Sequence, residues 1–103
     1  MKSQTVISEN IELFVVTEGD PHNPAIVFIH GFPDCHKTYN RQFEALKDQF
    51  YLISFDLRGV GKSSAPTQKH AYRVERLLQD LNNVVNQVLG PERAFHLFGH
   101  DWG

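Results

Sequence analysis

The sequence predicts an α/β fold: a mostly parallel sheet, opened by an antiparallel hairpin and covered by helices on both faces. Three observations carry that expectation. Two β-rich segments flank a two-residue turn near the N-terminus. Three short continuous apolar runs follow, of the kind buried on both faces of a parallel sheet. Between those runs lie segments whose apolar residues repeat at helical spacing.

In chain order, Gln4 to Ser8 and Ile11 to Thr17 are the β-rich pair, joined by Glu9-Asn10 as the turn of a hairpin. Gly19-Asp20-Pro21-His22-Asn23-Pro24 is a dense turn cluster that ends the hairpin. Ala25-Ile26-Val27-Phe28-Ile29 is the first buried-type strand. A helix follows, with Tyr39, Phe43, Leu46 and Phe50 at i, i+4, i+7 and i+11 on one face. Tyr51 to Phe55 is the second buried-type strand, and the region of Gly59, Gly61 and Pro66 is loop. Val74, Leu77, Leu78, Leu81, Val84, Val85, Val88 and Leu89 give the clearest helical repeat, stopped by Gly90-Pro91. Ala94 to Phe98 is the third buried-type strand. Strand, helix, strand, helix, strand with short connections implies right-handed crossovers and a parallel sheet.

Composition narrows the function classes. The chain has 103 residues, 41% hydrophobic and 21% charged, with ten Lys plus Arg against twelve Asp plus Glu and a formal net charge of -2. That describes one small globular unit. The acidic-leaning, scattered charge argues against nucleic acid, whose phosphates demand a basic face. No run approaches the ~20 apolar residues of a membrane span. The start Met1-Lys2-Ser3-Gln4-Thr5 has no apolar signal core behind it, so a cytoplasmic location is expected. One cysteine, Cys35, excludes an internal disulfide and fits a reducing compartment.

In parallel sheets ligands bind beyond the carboxyl ends of the strands, so chemistry is sought in three loops: His30-Gly31-Phe32-Pro33-Asp34, Asp56 to Ser63, and Gly99-His100-Asp101-Trp102-Gly103. The third has the pattern Gly-x-nucleophile-x-Gly directly after a buried strand. That is a nucleophile elbow, a sharp turn that presents its central residue, with glycines where side chains would collide. Its centre is Asp101. Alone, the five residues also fit a glycine-rich loop whose aspartate caps a helix.

Taken in order, His30-Gly31-Phe32-Pro33, Asp56-Leu57-Arg58-Gly59-x-Gly61-x-Ser63 and Gly99-His100-Asp101-Trp102-Gly103 resemble the N-terminal part of the α/β-hydrolase fold, and within it the epoxide hydrolase-like family. The resemblance runs from the hairpin to the elbow. It implies that residues 1–103 are the N-terminal portion of such a domain, ending just after the elbow. It also implies an enzyme whose substrate is a small molecule, an epoxide. An ionised carboxylate suits displacement at a saturated carbon, so Asp101 would form an alkyl-enzyme ester, which activated water hydrolyses to a diol. The ester carbonyl then becomes an oxyanion, and the resemblance supplies the backbone N–H groups of Phe32 and Trp102 to stabilise it. Gly31, Pro33, Gly99 and Gly103 shape the two loops. His30 is a structural hydrogen bonder that fixes the oxyanion loop, and His100 a packing or positioning residue. Asp56 and Arg58 tie their own loop together by charge-assisted hydrogen bonds.

Dehalogenase relatives bind halide through a Trp after the nucleophile and an Asn at the position of Phe32, which has no such donor. Fluoroacetate-type relatives carry Phe there, with Arg at the position of Trp102. A haloalkane or haloacid dehalogenase is thus the second reading. A non-catalytic piece, or the N-terminal lobe of a larger fusion protein, is the third. The water-activating histidine, its acid and the cap tyrosines of the family match no residue here, so the 103-residue chain alone is expected not to turn over. Gly61-Lys62-Ser63 imitates a phosphate loop, but Asp56 stands where its first glycine belongs and Ala65-Pro66 follows in place of a helix. Asp34-Cys35-His36 is contiguous, and His96 with His100 sits on strand and elbow instead of at i, i+4 of a helix, so neither suits a metal ion. No cofactor and no metal are expected.

Overall fold

A computed structural model of the chain describes residues 2–30, 36–65 and 73–99. Strand β1 (Lys2–Ser8) and strand β2 (Ile11–Glu18) form the hairpin, in antiparallel register from Lys2 opposite Thr17 to Ser8 opposite Ile11. Glu9 and Asn10 between them have φ of 50° and 74°. Positive φ at both central residues is the turn whose twist matches that of the strands it joins. Strand β3 (Ala25–Ile29) is followed by a 3₁₀ turn (His36–Tyr39), helix α1 (Asn40–Leu46) and strand β4 (Tyr51–Phe55). Helix α2 (Val74–Val88) and strand β5 (Phe95–Gly99) complete the order.

The sheet runs β1-β2-β4-β3-β5. The pairings of β3 with β4 and with β5 are parallel, whereas the hairpin joins the sheet antiparallel through β2 and β4. Side-chain alternation splits the strands between two cores. Val6, Leu13, Val15, Val27, Ile29, Ile53 and Phe55 face one way and pack with Val84 and Val85 of α2. Val16, Phe28 and Leu52 face the other way, against Tyr39 and Phe43. The two helices therefore cover opposite faces, as the spacing predicts. Each large side chain buried there contributes about 1.5–3 kcal/mol.

Three details differ from the sequence expectation. The first helix is shorter than its apolar spacing suggests: the N–H groups of Gln49 and Phe50 both turn back to the Leu46 carbonyl, which ends the helix and leaves Phe50 packing from a turn. Strand β5 is not buried on both faces. Leu97 is 54% exposed and Phe98 50%, because β5 is the end strand and, among the described residues, pairs only with β3. An apolar run records the capacity of a strand to be covered, and the cover depends on neighbours elsewhere. At the start of α2, Val74 and Leu78 are likewise exposed.

Phe43→Ala is expected to cost about 3–5 kcal/mol, the usual penalty for emptying an aromatic core site, read from the urea unfolding midpoint. Ser54 is fully buried and its hydroxyl oxygen has no hydrogen-bond partner among the described residues. Ser54→Ala removes a desolvated polar group without breaking a bond, so stability should hold or rise in the same titration.

Candidate active site

The parallel register sets the ends of three strands level. Ile29 of β3 lies opposite Phe55 of β4 on one side and Gly99 of β5 on the other. Neighbouring strands are about 4.8 Å apart. Ile29, Phe55 and Gly99 thus end their strands on one rim, the carboxyl end where parallel sheets bind ligands.

His30 is fully buried. Its Nε2 accepts the backbone N–H of Leu57 at 3.0 Å, so that nitrogen carries no proton and the ring bridges the end of β3 to the loop after β4. One residue earlier, the Tyr39 hydroxyl donates to the Ile29 carbonyl at 2.6 Å.

The loop after β4 is folded on Asp56, which is fully buried. Its Oδ2 accepts the Lys62 N–H at 2.9 Å, and its carbonyl accepts the Ser63 hydroxyl at 2.5 Å. Gly61, at φ of 55°, allows this close return: a Cβ there would lie 2.4 Å from Asp56 Oδ2. Ser63 Oγ also accepts the Phe14 N–H at 2.9 Å, and Ser64 exchanges backbone and side-chain bonds with Glu12. The stretch that imitates a phosphate loop is committed to Asp56 and strand β2.

Arg58 reaches beyond its own loop. Its guanidinium reaches α2 and grips Asp80 with two bonds, Nε to Oδ2 and Nη2 to Oδ1, each 2.6 Å. The Ser8 hydroxyl donates to Asp80 Oδ1 at 2.6 Å, and the Asn83 amide donates to Ser8 Oγ at 2.8 Å. Glu9 in the hairpin turn faces Arg58 at 3.5 Å and pairs with Arg76. The bonds to Asp80 push the Arg58 guanidinium above its ordinary range despite its burial. Asp80 is the residue that reading the sequence missed. It falls three residues after Leu77 and four before Val84, so a carboxylate on the apolar stripe of α2 was the available signal.

Of the sequence-derived site residues, His30 and Gly99 lie among the described residues; Gly31, Phe32, Pro33, His100, Asp101, Trp102 and Gly103 lie outside them, as do Asp34, Cys35, Pro66 and Tyr72. Among the described residues no group of three or more His, Cys, Asp or Glu could hold a metal ion, and no helix is long and apolar enough to cross a membrane.

Residues 24–103 match the family model described as alpha/beta hydrolase fold. The chain belongs to that family. Among its relatives, this chain of the alpha/beta hydrolase fold is 38% identical over 99 residues to "Epoxide hydrolase A" of Mycobacterium tuberculosis, covering 95% of this chain and 30% of that protein. It is 35% identical over 95 residues to "Probable oxidoreductase EphD" of the same species, covering 92% of this chain and 16% of that protein. The crystal structure of Epoxide Hydrolase A from Mycobacterium thermoresistibile superposes with a TM-score of 0.90 at 34% identity, over 99% of this chain and 32% of that one. This alpha/beta hydrolase is thus homologous to epoxide hydrolases, and it spans about a third of their length or less.

Removing one partner of the Arg58–Asp80 pair strands a buried charge. Asp80→Ala and Arg58→Ala should each cost about 3–5 kcal/mol, whereas the double replacement Arg58→Met with Asp80→Leu should cost markedly less. Urea unfolding of the four proteins checks the order.

Proposed function

We propose that this protein acts by epoxide-hydrolase chemistry, with Asp101 as nucleophile and the backbone N–H groups of Phe32 and Trp102 as oxyanion donors. The observation that carries the reading is the parallel pairing of Ile29 with Gly99. Phe32 follows Ile29 by three residues and Asp101 follows Gly99 by two, so the donor and nucleophile segments start side by side from one rim. Homology to epoxide hydrolases supports the substrate class.

In the first step a carboxylate oxygen of Asp101 bonds to an epoxide carbon. The carbon–oxygen bond of the ring breaks, and the ring oxygen takes a proton from an acid. In the second, a base removes a proton from water while the water oxygen adds to the ester carbonyl of Asp101. The resulting oxyanion collapses as the bond from the carboxyl carbon to the alkyl oxygen breaks. That oxygen takes the proton of the new hydroxyl, which releases the diol and restores the carboxylate, and the proton held by the base returns to the acid. Preset donors matter in this second step, where one is worth about 2.7–4 kcal/mol in comparable sites. His30 is assigned to holding the oxyanion loop, since its Nε2 is already engaged by Leu57. The base and its acid are assigned to no residue of this chain.

A dehalogenase reading keeps the same nucleophile and replaces the ring oxygen with a halide; Phe32 offers no side-chain donor to it. A place at one end of a larger fusion draws support from the EphD match, in which the aligned segment is 16% of that protein.

Incubating the complete protein with an epoxide should add the mass of the substrate transiently to the peptide containing Asp101, and Asp101→Asn should abolish the adduct. A label on another residue would sink the mechanism, and halide release from a haloalkane in place of diol formation would favour the dehalogenase. The 103-residue chain alone should show no multiple turnovers in a product assay.

A further inference from the structure

Two anchors act on consecutive residues at the end of β3. The Tyr39 hydroxyl holds the carbonyl of Ile29 at 2.6 Å, and Leu57 holds the ring of His30 at 3.0 Å. The Ile29 carbonyl belongs to the planar peptide unit that joins Ile29 to His30, so a bond at that oxygen fixes the orientation of the whole unit. The chain then runs on through Gly31 to Phe32.

The ring that presents this hydroxyl is itself held. Tyr39 is 3% exposed, its ring centroid is 4.8 Å from that of Phe28, and it meets Phe98 edge-on at 5.8 Å. Phe28 belongs to β3 and Phe98 to β5, the two strands that lead into the donor and nucleophile segments. Phenylalanine would fill this apolar site equally well. Among the described residues, tyrosine adds a short, buried bond to the last peptide of β3.

We infer that Tyr39 is a positioning residue for the oxyanion loop, acting through the Ile29–His30 peptide on the N–H of Phe32. This rests on the reading under Proposed function and extends it to a residue outside the motifs. The two chemical steps ask different things of that loop. Formation of the ester by Asp101 generates no oxyanion at the carboxyl carbon, whereas hydrolysis of the ester does. A loop released from its anchor therefore slows the second step and spares the first.

The test is Tyr39→Phe in the complete protein, with the ester on Asp101 followed by rapid-quench mass spectrometry. Ester formation should stay within about twofold of the parent while hydrolysis falls about tenfold, roughly what one buried hydrogen bond is worth. The ester then accumulates, and kcat falls while kcat/KM is kept. Ser54→Ala, in the same layer, should change neither rate. Unchanged hydrolysis in Tyr39→Phe, with ester visible in both proteins, overturns the positioning role. Equal slowing of both steps overturns it as well, by reducing Tyr39 to a structural residue. If the parent forms no ester on Asp101, the proposed function fails first and the inference falls with it.

Discussion

The structure depends on the parallel pairing of β3 with both of its neighbours. Because Ile29 stands level with Phe55 and with Gly99, three loops begin at one height on one rim. A shift of the register by one residue would turn Val27 and Ile29 from the α2 core to the α1 core and put Phe28 in their place, since side chains alternate with a period of two. Hydrophobic burial on two faces therefore locks the same register that aligns the loops. The geometry of the rim follows from packing, before any catalytic group is considered.

A buried polar network does the second part of the positioning. Arg58, Asp80, Ser8 and Asn83, with Glu9 and Arg76 at its edge, connect the hairpin turn, the loop after β4 and helix α2. Replacing such a pair with apolar residues can leave stability unchanged, and here the pair joins three segments distant in sequence. Arg58 is adjacent to Leu57, whose N–H engages His30. The bonds that hold the loop to α2 and the capture of the β3 end by His30 and Tyr39 thus meet within a few residues of the rim.

Much of this was legible in the sequence because it is local. The β-rich pair, helical spacing in Val74 to Leu89 and the Glu9-Asn10 turn are each settled by neighbouring residues, and the structure has all three. What was hidden is what depends on distant partners. Asp80 lies 22 residues beyond Arg58, and only its place on an apolar stripe hinted at a buried pair. The Tyr39 hydroxyl is silent in sequence, since an aromatic at that spacing reads as core whether or not it carries oxygen. The exposure of Leu97 and Phe98 escaped for the same reason: an apolar run does not say whether a neighbour covers it. Of the site, the motifs named the loops, and the register of β3 with β5 sets level the strand ends that precede two of them.

The central claim, that level strand ends bring the donor loop to the nucleophile, is tested most directly by a crystal structure of the complete protein with its active site occupied by an epoxide-derived ester. The account expects the backbone nitrogens of Phe32 and Trp102 both to lie about 2.7–3.1 Å from one carboxyl oxygen of Asp101, the range of a working oxyanion hole. A structure in which those N–H groups point away from Asp101, or in which the ester forms on a residue off this rim, would contradict it.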